Sequence, residues 1–559
     1  MNADKLILDH VFDREQRQPK RIYLTQPIGQ GRVIDYRWGQ LLEEARRMAA
    51  YWQNLGLAPG ARVAIVSKNC AHFFMAELAI WIGGYTKVAI FPTETAETVR
   101  YVLEHSEANL LIVGKLDNWP QQQPGVPAHL PRIAMPLAPA DSAERWDDIL
   151  LRSAPLEGRP RRDADALAML IYTSGATGQP KGAMLSFGAI TRAATGIMNE
   201  IRERLAEGTE SRMLSYLPLA HSFERSWVLA ASLLDGSSRI FFAESVDTFL
   251  QDLQRARPTL FISVPRLWLK FQQGVFATLP AHKLDRLLGI PLLGRIVARK
   301  VLKSLGLDAV VQAGSGSAPI PPELIAWYRR LGLELYEGYA MTEDSAYSHS
   351  VNRQYSAPGW VGVPLPGLQA RLAADGEVLV KSPGQFSGYY KQPELTAASF
   401  TDDGFFRTGD LGEQRADGLL RITGRAKELF KTAKGKYVAP APIENRLLAN
   451  ALLELAMVSG VGQPAVYAVV VLAESLRARQ TDAGLRAELA PQLEALLQSV
   501  NADLADHERL QMLMVAHEPW SIENGCLTPT MKIKRSRIEA GVSDHVAGWY
   551  AGGATVVWA

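Results

Sequence analysis

Between Trp38 and Leu55 the apolar residues Leu41, Leu42, Ala45, Met48, Ala49, Trp52 and Leu55 return at the spacing of one helix face, and the following "LAPG" predicts its end. "RVAIVS", the apolar run in "FFMAELAIWIGG", "KVAIF", the helical spacing of "TAETVRYVLEH" and "NLLIVG" then alternate strand with helix. Such alternation predicts a parallel sheet covered by helices on both faces, with ligands at the carboxyl ends of its strands. Residues 115–165 break the pattern: "NWPQQQPGVPAHLPR" and "LEGRPRRDAD" are rich in proline and charge, and predict an irregular surface connection. Further on, "LGEQRADGLLRITGRAKELFK" reads as two short strands about an Ala-Asp-Gly turn, "AVYAVVVLA" and "RLQMLMVA" as strands, and "LRAELAPQLEALLQSVNADLA" as a helix.

At 559 residues the chain exceeds one core and predicts roughly three or four structural units. Sixty basic residues against 58 acidic ones leave a formal charge of +2, so no global field draws it to nucleic acid. Cys70 and Cys526 stand alone, without disulfide or zinc spacing, as suits a reducing compartment. "MNADKLILDHVFDREQRQPK" lacks a signal-peptide core, and no stretch approaches the roughly 20 apolar residues of a spanning helix, so a cytoplasmic protein is expected.

Candidate chemistry concentrates in "YTSGATGQPKGAML", Tyr172 to Leu185. A strand-like "ALAMLIYT" precedes it and a helix-like "FGAITRAATGIMNEIRERL" follows, which is phosphate-binding context. The hydroxyls of Thr173, Ser174 and Thr177 are donors, Gly175 and Gly178 let backbone N–H groups come close, and Lys181 brings a positive charge. A Walker loop is excluded by Pro180 and Gly182, which stand where it needs glycine and a hydroxyl. Taken alone, the segment reads equally well as a flexible linker.

Five further stretches accompany it in order: "LSYLPLAHSFER", "GSGSAPIPPEL", "YEGYAMTE", "FFRTGDLG" with "LLRITGRAKELFKTAKGKYVAPAPIE", and "LTPTMKIKR". Together they resemble the motifs of the adenylate-forming superfamily, which includes acyl-CoA synthetases, luciferases and peptide-synthetase adenylation domains. "LTPTMKIKR", with "LPLAHSFER" and "FKTAKGKYVAPAPIE", resembles its long-chain fatty acyl-CoA ligase branch. The resemblance runs from about Tyr36 to Arg537. It implies an α/β fold: a large N-terminal domain of stacked α/β subdomains with a small β-barrel-like subdomain, residues 1–425, and a smaller mobile α+β domain, residues 426–559.

The resemblance also implies roles. Residues from Thr173 to Lys181 would hold the β- and γ-phosphates of ATP, and Thr173 with Glu343 would hold Mg²⁺. Thr342 would donate to the α-phosphate, Tyr339 beside Gly338 would stack on adenine, and Asp410 assisted by Arg425 would accept from the ribose hydroxyls. His221 would border the acyl and thiol channel as a gate or orienting group. Lys532 would ride on the small domain as a lid and stabilise adenylation. Lys427 would be the hinge, and Gly435 would help form the coenzyme A channel. Ala340 departs from the family pattern, which has glycine there. For each residue a bland structural role stands alongside, such as a helix cap for Thr342 and Glu343 or a core tyrosine for Tyr339.

The activity implied is ligation of a long-chain fatty acid to coenzyme A through an acyl-adenylate. Delivery to a carrier protein, and a silent nucleotide-binding regulator, remain as alternatives. Residues 292–306 add a basic amphipathic helix, with Leu293, Val297, Val301 and Leu305 on one stripe and Arg295, Arg299 and Lys303 on another. Peripheral contact with the inner face of a membrane and simple packing on the core are both open readings of it.

Overall fold

The computed structural model describes residues 5–140, 143–173, 179–352, 354–528 and 531–558. The strand–helix alternation builds an eight-stranded sheet in the order Gly388–Tyr389, Lys181–Ser186, Leu167–Thr173, Thr86–Ile90, Arg62–Val66, Ala108–Val113, Arg132–Ala134, Glu144–Arg145. From Leu167–Thr173 outward to Glu144–Arg145 every pairing is parallel. Its central strands pack apolar side chains on both sides. Val63 and Ile65 face the core made with helices Trp38–Asn54 and Ala71–Gly83, while Ala64 and Val66 pack with Val99, Val102 and Leu103 of helix Ala96–His105.

Two expectations need correction. Residues 115–165 are not merely a surface connection: they supply the two outermost strands and helices Trp119–Gln122 and Trp146–Arg152, with Trp119, Ile133 and Trp146 buried. Prolines keep these pieces short, which hides their period. The hydroxyl-rich loop does not open a helix either. Lys181–Ser186 turns back antiparallel on Leu167–Thr173, with Thr173 opposite Lys181, and helix Phe187–Arg204 begins only afterwards, capped by the Ser186 hydroxyl accepting from the Ala189 N–H. Two antiparallel strands, and not a strand and a helix, flank residues 174–180.

A second sheet sets Leu260–Ser263, Gln312–Ser315 and Leu335–Tyr339 in parallel, then adds two short antiparallel strands. A third joins Ser211–Ser215, Ser238–Phe242, Ile22–Pro27 and Val33–Arg37. A small antiparallel sheet of Gln369–Leu372, Glu377–Lys381, Phe406–Gln414 and Leu420–Arg425 completes the N-terminal domain, its last hairpin matching the expected turn.

A smaller C-terminal domain follows. Strands Leu453–Ser459, Val466–Leu472, Leu510–Val515 and Val556–Trp558 share an apolar core with Leu485, Leu489, Leu493 and Leu497 of helix Ala483–Ala502. It is tied to the large domain by charge: Arg266 and Arg477 share Glu454, and Lys270 lies 3.9 Å from Glu474. Among the described residues no helix is long and apolar enough to cross a membrane.

Candidate active site

Thr173 and Tyr339 end strands of the two parallel sheets, and Tyr339 meets Asp410 of the small antiparallel sheet. The "HSFER" stretch shows how the local fold is set. The His221 Nδ1 accepts from the Phe223 N–H at 3.2 Å and so caps the turn Ser222–Glu224. Ser222 Oγ lies 3.2 Å from Thr342 Oγ1, joining this turn to the Thr-Glu motif. The Phe223 ring fills the space beside Gly316, where a methyl group would stand 3.3 Å from it. Glu224 accepts from the Asn69 side chain and the Tyr216 N–H, and burial pushes its carboxyl up to about 8. Arg225 enters a wider π-helical turn and grips the buried Glu77. Such turns concentrate at functional sites.

His221 packs edge-on against Phe91, centroids 6.4 Å apart, and its ordinary value is pushed down to about 4, first by burial and then by the Lys532 charge. The imidazole is therefore neutral near pH 7, with Nδ1 committed as acceptor.

Thr342, Glu343 and Asp344 form a single 3₁₀ turn at the end of strand Leu335–Tyr339. The cap belongs to Asp344 rather than Thr342: its Oδ1 accepts from the Met341 and Tyr347 N–H groups. Burial pushes the Asp344 carboxyl up to about 8. Ser345 and Ala346 follow at φ 58° and 57°, a costly left-handed pair for residues with side chains. Ser345 Oγ donates to the Gly384 carbonyl, and the Trp227 indole to that of Ala346, which hold the strained turn. Ala340 is exposed and outside the left-handed region, so the departure from glycine costs the backbone nothing and sets a methyl group at the cleft surface.

Glu343 accepts from the Tyr389 hydroxyl at 2.8 Å, and Lys181 Nζ stands 5.3 Å above the same ring. Tyr389 thus links the lysine that follows the hydroxyl-rich loop to the motif glutamate. It escaped the sequence reading; its signal is Gly388, held at φ 133° where a methyl group would collide with Thr396, which fixes the aromatic that follows. Ser174, Gly175, Thr177 and Gly178 lie outside the described residues. Thr173 ends its strand at the mouth of that loop.

On the opposite side the Tyr339 hydroxyl donates to Asp410 Oδ2 at 2.7 Å, and Arg425 Nε lies 2.8 Å from Oδ1. Asp410 is buried and held on both oxygens, though a carboxylate has lone pairs for further donors. Gly338 is confined: a methyl group there would come within 3.3 Å of the His349 carbonyl.

Lys532 comes from the small domain. The Thr528 N–H donates to its carbonyl and its own N–H to Thr528 Oγ1, which ties its backbone to Thr528. It is exposed, and its ammonium is lowered below the usual lysine value by the surrounding protein first and the Arg425 charge second; Asp410, Glu428 and Glu343 pull the other way. The Lys532 charge thus acts together with those of Arg425, Asp410, Glu428 and Glu343, and is felt in turn at His221. Lys427 lies exposed in a single 3₁₀ turn, Ala426–Glu428, directly after strand Leu420–Arg425. Gly435 turns the following hairpin at φ 76°, a conformation that favours glycine.

A family model described as AMP-binding enzyme matches residues 11–390, and one described as AMP-binding enzyme C-terminal domain matches residues 428–553. The chain belongs to the AMP-binding enzyme family. Relatives of this AMP-binding enzyme include the long-chain-fatty-acid–CoA ligase FadD15 of Mycobacterium bovis, 30% identical over 97% of this chain and 96% of that one. Long chain acyl-CoA synthetase 2 of Arabidopsis thaliana is 27% identical, covering 94% and 88%. Among solved structures, the A domain of carboxylic acid reductase from Segniliparus rugosus, in complex with AMP and a co-purified carboxylic acid, shares the fold at a TM-score of 0.81. It is 23% identical over 99% of this chain and 95% of that one.

Proposed function

We propose that the chain is an AMP-forming long-chain fatty acid:CoA ligase: ATP and a fatty acid give acyl-AMP and pyrophosphate, and coenzyme A then takes the acyl group. The observation that carries this reading is the set of contacts that gathers the motif residues: Ser222 with Thr342, Tyr389 with Glu343 and Lys181, and Tyr339 and Arg425 with Asp410. Adenylation forms no covalent enzyme intermediate, so its catalyst must orient two anions and neutralise charge developing at the α-phosphorus. Lys181 and Lys532 supply positive charge, Thr342 a donor, and Asp410 acceptors for a ribose. Residues 1–425 form the nucleotide and acyl-binding domain and 426–559 the lid, with Lys427 as hinge and Gly435 on the face that lines the thiol channel. The relatives named as long-chain fatty acid ligases support the substrate class.

Among the described residues no cluster of three or more acidic, histidine or cysteine side chains could hold a metal. Glu343 with Thr173 suits Mg²⁺, which takes one or two protein oxygens and completes its shell with substrate phosphates and water. When bound, the ion would neutralise phosphate charge. Glu343→Gln keeps the shape and the Tyr389 contact but loses the charge. It is expected to raise the Mg²⁺ needed for half-maximal rate by about tenfold, the worth of ~1.4 kcal/mol, without changing thermal stability. An unchanged Mg²⁺ dependence would move the ion elsewhere.

The function itself is tested by pyrophosphate release over acids from butyrate to arachidate, with coenzyme A or a phosphopantetheinylated carrier as acceptor. Release should rise toward the long chains and need free coenzyme A to turn over. No acid-dependent release would leave only a nucleotide-binding protein, and acyl-carrier as the sole product would name the other acceptor.

A further inference from the structure

Helices Ala281–Leu288 and Leu293–Ser304 form a hairpin on the large domain. Leu284, Ala298, Leu302 and Leu305 anchor it in a core with Trp268 and Trp327. Gly294 locks the two helices together, since a methyl group there would lie 2.5 Å from the Leu288 carbonyl. The tip is therefore built in one shape.

What the hairpin shows to solvent is unusual in two ways. Residues 281–304 carry six basic side chains and one acidic one, in a chain whose whole formal charge is +2. The one acid, Asp285, is paired with Arg330 at 2.9 Å. Four large apolar side chains also stand exposed within seven residues: Ile290 at 44%, Leu292 at 74%, Leu293 at 40% and Ile296 at 65%. Soluble surfaces scatter such residues singly.

The exposed face is not the stripe expected from sequence. On a helix each four-residue step drifts by roughly 40°, so Leu293, Val297, Val301 and Leu305 wind from solvent into the core. The face opposite the buried Gly294, Ala298 and Leu302 holds Leu293, Ile296, Lys300 and Lys303, with Arg299 at its edge. Leu292 is held at φ 67°, ψ −54°, its neighbours closed by a Leu293 N–H to Pro291 carbonyl bond at 2.8 Å. A leucine strained into the left-handed region and left in water is costly twice.

We infer that this tip docks on an anionic lipid bilayer, with Ile290, Leu292, Leu293 and Ile296 entering the headgroup boundary and Arg295, Arg299, Lys300 and Lys303 paired with lipid phosphates; the inference draws on the proposed fatty-acid chemistry only for its purpose. Apolar residues interleaved with cations are what such an interface takes: the chains enter, and the long basic side chains reach back to the phosphates. A protein partner or second copy would bury the leucines but would leave six cations seeking acids that this chain's nearly balanced surface does not concentrate.

The test is co-sedimentation of the full chain with vesicles of phosphatidylglycerol and phosphatidylcholine, or of phosphatidylcholine alone. Binding should require the anionic lipid and weaken with salt. Leu292→Ser with Ile296→Ser, and separately Lys300→Gln with Lys303→Gln, should each lower it by about tenfold or more. Leu292→Gly should do so in part with no fall in melting temperature, since glycine accepts the backbone angle. Equal binding by variants and wild type at unchanged melting temperature overturns the inference, as does lipid-free self-association that the leucine and isoleucine changes abolish. Vesicle binding without fatty-acid-dependent pyrophosphate release would leave the surface standing and overturn the enzymatic reading instead.

Discussion

Lys532→Ala is expected to slow formation of acyl-AMP from acid and ATP by on the order of 10²–10³, while supplied acyl-AMP and coenzyme A are converted to acyl-CoA at nearly the wild-type rate. The asymmetry follows from where the residue stands. Lys532 belongs to the small domain, but its ammonium answers to Arg425, Asp410 and Glu343 of the large one and in turn depresses His221. A charge brought from another domain serves the step for which the two domains are apposed and is withdrawn when the lid turns about Lys427. Lys427→Pro should give the reverse pattern, adenylating but failing to present the thiol channel. The lysine's lowered pKa adds an independent reading. Deprotonation removes the catalytic charge as pH rises, so kcat/KM for ATP in adenylation should fall before the ordinary lysine range of about 10.4 is reached. Lys532→Arg, which stays charged, should move that fall upward. Equal damage to both half-reactions in Lys532→Ala would refute a moving lid and favour one fixed site.

Much of this arrangement was legible in the chain because its signals are local. Alternating apolar runs named the parallel sheet, and the Ala-Asp-Gly turn named the hairpin that carries Asp410 and Arg425. The loop read from glycine and hydroxyl spacing lies mostly outside the described residues, and a strand follows it where a helix was expected, since the six residues "KGAMLS" are too short to declare their period. Tyr389 was invisible for another reason: it meets Glu343 across 46 residues, and only the third dimension makes that pair. The helix at 293–304 was found but turned about its axis, because a four-residue repeat drifts around a helix of 3.6 residues per turn. Glu77 and Lys87 were overlooked inside "FFMAELAIWIGG" and "KVAIF", where a charge amid apolar residues is itself a signal. A buried charge must have a partner.

That partner gives the second large effect: Glu77→Gln is expected to destabilise the N-terminal domain by about 3–5 kcal/mol, a large part of the roughly 5–15 kcal/mol that holds a domain together. Glu77 is fully buried, with Lys87 Nζ 2.5 Å from one carboxylate oxygen and the Arg225 guanidinium bridging both. Burial alone would push its carboxyl up, but Arg225 and Lys87 override that and hold it below the usual range. Lys87 is lowered by burial and then by Arg225. Remove the negative charge and Lys87, already lowered to about 7, is driven neutral, while the Arg225 guanidinium stays charged where water cannot reach, with the Trp81 ring as remaining support. The midpoint of urea unfolding measures the loss, and a shift worth less than about 1 kcal/mol would show the charges to be solvated or neutral. Replacing all three with apolar residues, as Glu77→Leu, Lys87→Met and Arg225→Met, should recover most of the stability, because no uncompensated charge is then left inside. It should not recover activity. Arg225 continues directly from the turn that His221 caps and that Ser222 joins to Thr342. A chain that folds well with the network erased, yet adenylates slowly, would show that these charges serve to place that turn rather than to stabilise the fold.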